Sequence, residues 1–135
     1  YLYLQAPWMY DLRRLFTNTV DGAKREDFQF APLSKEVVHA TFLGSKAVID
    51  VEHINQRGAT MRTIEALGSK RKLVTTNAAL RDYDFFNPLN IHIIDRKAPR
   101  LNQEFLVTPY QVVPENIRQK YSIKKWINEV CFDLK

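Results

Sequence analysis

Ile49-Asp50-Val51-Glu52-His53-Ile54-Asn55-Gln56-Arg57-Gly58-Ala59-Thr60-Met61-Arg62-Thr63-Ile64-Glu65-Ala66-Leu67-Gly68, closing on Lys72-Leu73-Val74-Thr75-Thr76-Asn77, reads as strand, polar loop, helix, strand. Polar and charged residues gather where the first strand ends and the helix begins. In an open parallel α/β sheet that junction is where ligands bind. The helix start offers unpaired backbone N–H groups and a positive dipole end, both suited to a phosphate.

Working outward, the flanking sequence repeats the alternation. Tyr1 to Ala6 alternates and is aromatic-rich, as a first strand should be, and Pro7 ends it. Met9, Leu12, Leu15 and Phe16 recur at helical spacing. Asp21-Gly22 signals a turn. Phe28 to Ala31 is a short strand. Ser34 is placed to cap a helix whose inward stripe is Val37, Val38, Thr41 and Phe42, with Gly44 ending it. Lys46 to Val51 is apolar and β-branched, as expected of a buried parallel strand. Ala78 to Tyr83 is a short helix or turn, and Ile91 to Asp95 another strand. Arg96 to Val113 reads as a surface meander, and Pro114 opens a final helix carrying Ile117, Tyr121, Trp126, Ile127 and Val130. Strands separated by helices at this spacing predict a single α/β domain over 1–135, Rossmann-like, with a parallel sheet covered by helices on both faces.

The totals agree. The 135 residues suit one domain, and 45% hydrophobic residues provide a core. No apolar run approaches the roughly 18 residues of a membrane span. Tyr1-Leu2-Tyr3-Leu4 has no initiator Met and no charged leader, so it reads as a strand cut from a longer protein. The lone Cys131 excludes an internal disulfide, fits a reducing cytosol, and is expected to be a small buried hydrophobe. Net charge is +5, from 20 Lys+Arg against 15 Asp+Glu, which either favours anionic partners or is ordinary solubility charge. The basic residues are scattered and not interleaved with exposed aromatics, which argues against nucleic acid.

Candidate chemistry concentrates in the opening stretch. Glu65, on the helix, can accept two hydroxyl donors from a ribose or a sugar, or simply favour the helix dipole. Arg57 and Arg62 flank the helix start with guanidinium forks that match phosphate oxygens. Arg62 lies three positions before Glu65, so those two can also pair with each other. Gly58 permits close approach of backbone to ligand or a positive φ. His53, just beyond the strand end, is a ligand contact, an acid or base, or a solvated side chain. Thr75, Thr76 and Asn77 follow the next strand, where Asn77 can instead cap a turn. Asp95-Arg96 ends the last strand and can form an ion pair at the rim. His39 and His92 are structural. No His/Asp/Glu spacing matches a metal site, and neither a P-loop, a G-x-G-x-x-G fingerprint nor a nucleophilic-serine elbow is present.

The run from Arg57 to Val74 resembles the donor-binding segment of retaining-type GT-B glycosyltransferases, whose pattern is Glu-x7-Glu around a Gly-rich turn and a helix. Glu65-Ala66-Leu67 falls on the second Glu and its helix, and Lys72-Leu73-Val74-Thr75-Thr76 on the next strand. Asp50-Val51-Glu52-His53, Thr60-Met61-Arg62-Thr63-Ile64-Glu65-Ala66-Leu67-Gly68, Tyr83-Asp84-Phe85-Phe86-Asn87 and Tyr121-Ser122-Ile123-Lys124-Lys125-Trp126 are similar to wording in bacterial capsule and lipopolysaccharide biosynthesis proteins.

The resemblance implies the C-terminal, donor-binding half of a two-domain glycosyltransferase that acts on a surface polysaccharide or lipopolysaccharide. It implies a nucleotide-diphosphate sugar as substrate and no cofactor or metal. Glu65 would bind the donor ribose, while the amides around Thr60 and Met61, with Arg62, would neutralise the diphosphate. Acceptor contacts would come from an N-terminal domain outside this chain. The location implied is cytoplasmic, with peripheral association at the inner membrane. Arg57 stands where the pattern has its first Glu, and Thr60 where it has a second Gly. The alternative is a non-catalytic Rossmann-like module that docks a phosphorylated ligand or an acidic lipid surface.

Overall fold

The computed structural model describes residues 2–17, 20, 22–53, 55, 56 and 58–132. Tyr1, Asp21 and the candidate Arg57 lie outside the described residues. The chain forms two compact units, Tyr1–Ala40 and Thr41–Lys135.

In the first unit, β1 (Leu2–Tyr3) and β2 (Phe28–Gln29) pair in parallel and are joined through α1 (Pro7–Phe16). Pro7 sits in the first turn of α1, where its missing N–H costs nothing. The core is Leu4, Tyr10 and Val20 packed on Phe28 and Phe30. The Tyr10 ring lies tilted against Phe28 with centres 5.5 Å apart, and its hydroxyl donates to the Ala23 carbonyl at 2.8 Å. Along α1, Tyr10 is buried, whereas Leu12, Leu15 and Phe16, which recur at helical spacing, are exposed.

Helix α2 (Lys35–Gly44) begins after Ser34, whose hydroxyl accepts the Val37 amide at 3.4 Å, and ends at Gly44 as expected. Of its expected stripe, Val37, Val38 and Thr41 are exposed, and only Phe42 packs against a core.

The second unit holds a three-stranded parallel sheet in the order β3 (Ala47–Asp50), β4 (Lys72–Thr75), β5 (Ile91–Ile93). Helix α3 (Met61–Gly68) crosses from β3 to β4 and packs on both strands. The unit is thus α/β with a parallel sheet flanked by helices, an arrangement compatible with a Rossmann-like fold. All four residues of the central strand β4 are buried, while β3 is an edge strand with Ile49 67% exposed. The expectation that Lys46–Val51 is a fully buried strand fails for this reason: an edge strand has only one paired neighbour.

The core is Ala66, Leu67, Leu73, Leu80, Phe85 and Ile91. α3 ends in a Schellman arrangement: Arg71 N–H bonds to the Ala66 carbonyl at 2.9 Å, and Lys70 occupies the left-handed position at φ 55°.

Three expectations about the C-terminal part change. The segment predicted as a meander contains α4 (Gln103–Val107), capped by Asn102 and anchored by buried Phe105. The single final helix is instead α5 (Glu115–Lys120) and α6 (Ile123–Cys131), because Ser122 caps α6 by accepting the Lys125 amide at 3.2 Å. A side-chain acceptor at Ser122 restarts the helix there. Cys131 is exposed, correcting its expected burial. Lys72 is an unforeseen core residue, 3% exposed, with Nζ donating to the Phe105 carbonyl and to Thr108 Oγ1 at 2.6 Å, and lying 4.5 Å from the Phe105 ring centre.

Candidate functional site

The carboxyl ends of β3, β4 and β5 form the candidate site, and side chains from all three strand ends meet there. The chain leaves β3 through Asp50 and Glu52 and turns near His53, where Gln56 N–H bonds to the His53 carbonyl at 2.8 Å. It then reaches α3 through Gly58, whose φ of 84° favours glycine. Thr60 caps α3 by accepting the Thr63 amide at 3.0 Å, and its own hydroxyl donates to Asp50 Oδ2 at 2.5 Å. Thr63 Oγ1 reaches the same carboxylate oxygen at 3.5 Å. One carboxylate at the end of β3 thus fixes the first turn of the following helix. The Thr60 carbonyl accepts the Ile64 amide. The Met61 and Arg62 amides have no acceptor among the described residues, as the first turn of a helix leaves them.

The loop after β4 is pinned to this one. Asn77 donates from Nδ2 to the Gly58 carbonyl at 2.8 Å and accepts the Ala79 amide at 3.1 Å, so it both caps the next turn and holds the glycine loop. The Tyr83 hydroxyl accepts the Ala59 amide at 3.1 Å. Thr75 is fully buried and its hydroxyl accepts the Asn77 amide, which makes it structural. Thr76 donates to Glu52 Oε2 at 2.5 Å.

Arg96, after β5, completes the rim. Its Nη2 donates to the Glu52 carbonyl, lies 3.5 Å from Glu52 Oε1 and 3.4 Å from Thr76 Oγ1. The expected Asp95–Arg96 pair is replaced by this one. Asp95 Oδ1 instead accepts the Lys97 and Ala98 amides at 2.7 and 2.9 Å.

Of the residues singled out in the sequence, Gly58, Thr60, Thr76 and Asn77 are brought together at the strand ends. Met61 begins α3 and is 74% exposed. Arg62 and Glu65 pair with each other at 3.0 Å on the outer side of α3, where Arg62 also lies 5.7 Å from the Phe42 ring. Glu65 borders an open groove of about 360 Å³ between α3 and the α5–α6 corner, lined also by Ile64, Arg118 and Ile123. This is the helix side opposite buried Thr63 and Ala66. His53 is exposed, its Nδ1 accepting the Asn55 amide at 3.4 Å. His92, expected to be structural, packs at 5.2 Å on Phe105 with Nε2 3.2 Å from the Arg100 carbonyl.

Tyr83 and the Glu52–Arg96 pair were not foreseen as site members. Glu52 and Arg96 are 44 residues apart, and only the parallel register that sets β5 beside β4 brings them together. The signal available was that strands of a parallel sheet end on the same edge, so polar residues just after β3, β4 and β5 gather there.

No group of three or more His, Cys, Asp or Glu that could hold a metal occurs among the described residues, nor does a helix long and apolar enough to cross a membrane. Protein-family models, curated proteins and solved structures were each compared with the chain, and none of the three comparisons found a match.

Proposed function

We propose that this chain is the nucleotide-sugar-binding half of a GT-B glycosyltransferase in bacterial surface polysaccharide or lipopolysaccharide synthesis, working at the cytoplasmic side of the membrane. The observation that carries the reading is the pinned pair of loops at the carboxyl end of the parallel sheet, beside the start of α3. There Asn77 and Tyr83 hold the Gly58–Ala59 backbone in place, and the Met61 and Arg62 amides stay free for an anion. A preorganised set of N–H donors is what stabilises a leaving diphosphate. Glu65 is the ribose ligand in this reading, and exchanges Arg62 for the donor hydroxyls. The chain binds the donor and leaves catalysis to the complete two-domain enzyme.

The test is a thermal-shift series with UDP, GDP, ADP and CMP at millimolar concentration. A rise in melting temperature with one of them, lost in Thr60→Ala and reduced in Glu65→Gln, supports the reading. No shift with any nucleotide ends it.

A second reading rests on α6. Ile123, Trp126, Ile127 and Val130 are all exposed on one side of this helix, with Lys124 beside them and Lys125 paired to Glu129 at 3.2 Å. An apolar stripe edged by a lysine suits an acidic lipid surface. In this reading the chain is a docking module without transferase activity. Co-sedimentation with phosphatidylglycerol vesicles, abolished in Trp126→Glu, would favour it; equal sedimentation with neutral vesicles would not.

A further inference from the structure

We infer that Glu52, Thr76 and Arg96 form a subsite for a sugar phosphate, in which Arg96 takes the phosphate and Glu52 accepts sugar hydroxyls. The inference rests on the reading of the sheet's carboxyl end as the ligand face.

The three residues come from the ends of three adjacent parallel strands, so the cluster lies across the position where open α/β sheets bind ligands. Its contacts are unequal. Thr76 binds Glu52 tightly at 2.5 Å, whereas the Arg96–Glu52 carboxylate distance is 3.5 Å. A well-made charge-assisted bond of this type is about 2.7–2.9 Å. Only Nη2 of Arg96 is engaged, which leaves the Nε and Nη1 donors without an acceptor among the described residues. A guanidinium has five N–H donors in a fork suited to phosphate.

The Arg96 side chain is 39% exposed, so an entering anion reaches it without rearrangement of the sheet. Glu52 is only 16% exposed and stays fixed by Thr76. A phosphate therefore displaces the loose carboxylate from Arg96, and the freed Glu52 oxygen becomes an acceptor for hydroxyls on the same ligand.

The experiment is NMR titration of the labelled 135-residue chain with inorganic phosphate, glucose 1-phosphate and methyl glucoside, following the Thr76, Asn77 and Arg96 amides and the Arg96 Nε–H. Glucose 1-phosphate is expected to shift all four signals and to bind more tightly than phosphate, with the glucoside weakest. Arg96→Gln should weaken glucose 1-phosphate by roughly tenfold or more, the value of a hydrogen bond between charged groups. Arg96→Lys keeps the charge and should fall between the two.

Glu52→Gln is the decisive variant. It should bind inorganic phosphate roughly twofold to fivefold more tightly, because the competing carboxylate charge is removed, while losing the preference for the sugar phosphate. A purely structural role for Glu52 predicts no gain in phosphate affinity, and that result overturns the inference. Nucleotides that shift Met61 and Arg62, with glucose 1-phosphate silent at Thr76 and Arg96, would remove the subsite and leave the donor reading standing. The converse pattern would keep the subsite and end the nucleotide reading.

Discussion

The Thr60 hydroxyl donates to the Asp50 carboxylate at 2.5 Å while accepting the Thr63 amide at 3.0 Å, so one side chain joins the end of β3 to the first turn of α3. Thr60→Ala removes the helix cap and leaves a half-buried carboxylate short of a donor. The expected loss is about 1–2 kcal/mol of unfolding free energy. Urea denaturation checks it, with Thr60→Ser expected to recover most of the difference. An alanine variant as stable as the parent would mean that Thr63 alone satisfies Asp50.

Gly58 holds a positive φ with the Tyr83 hydroxyl 3.3 Å from where a Cβ would sit. Tyr83 cannot retreat freely, because it accepts the Ala59 amide. Gly58→Ala is expected to cost about 1–2 kcal/mol from the left-handed backbone alone. In hydrogen exchange the Ala59 amide should lose protection before the amides of β4 do. Uniform loss across the sheet would contradict this local account.

Lys72 is a buried ammonium with no carboxylate beside it among the described residues, and desolvation holds its pKa below the usual lysine value. A lysine whose folded pKa is depressed penalises folding at neutral pH. That penalty is relieved as pH rises from the folded pKa toward about 10.5, because the unfolded chain then binds more protons. Lys72→Met fills the same space, and the Phe105 carbonyl keeps Thr108 Oγ1 as a donor at 3.1 Å. The variant is expected to be about 1 kcal/mol more stable at pH 7, with a smaller gain at pH 10. A loss of stability would show that the hydrogen bonds of Nζ outweigh its desolvation.

Asp84 accepts from Lys120 Nζ at 2.6 Å and from the Tyr121 hydroxyl at 2.7 Å, tying the loop after β4 to the α5–α6 corner. The Lys120 and Tyr121 hydrogen bonds hold the Asp84 pKa below the usual aspartate value. Burial, then the Asp84 bond, pushes Tyr121 up to about 12. The depressed carboxyl contributes stability above its unfolded pKa, near 4, and loses it as pH falls further. The raised phenol contributes below about pH 10 and loses that contribution as pH rises toward 12. Asp84→Asn should flatten the acid side of a melting-temperature profile between pH 4 and 2. An unchanged acid slope would show that other carboxylates govern it.

The alternation of strand and helix was legible because β-branched runs such as Ala47–Asp50 and periodic runs such as Met61–Gly68 carry their own local preference. The caps at Ser34 and Asn77 were legible too: each is a short polar side chain that can reach a backbone amide close by in the chain. Burial was less so. Leu12, Leu15, Val37, Val38 and Ile49 have the pattern of inward residues, yet each is exposed. Periodicity fixes which residues share a face, but only the neighbouring elements decide whether that face is covered.

That a parallel βαβ unit gathers its polar residues at the strand ends is written locally in the chain, because the strand's end, the glycine turn and the helix start are contiguous there. Tertiary structure alone decided which of those residues meet. It set Glu65 on the outer side of α3 with Arg62, placed Lys72 in the core, and brought Arg96 to Glu52 across 44 residues. Contacts of that span depend on strand register, which is set by packing over the whole sheet and not by any local stretch of sequence.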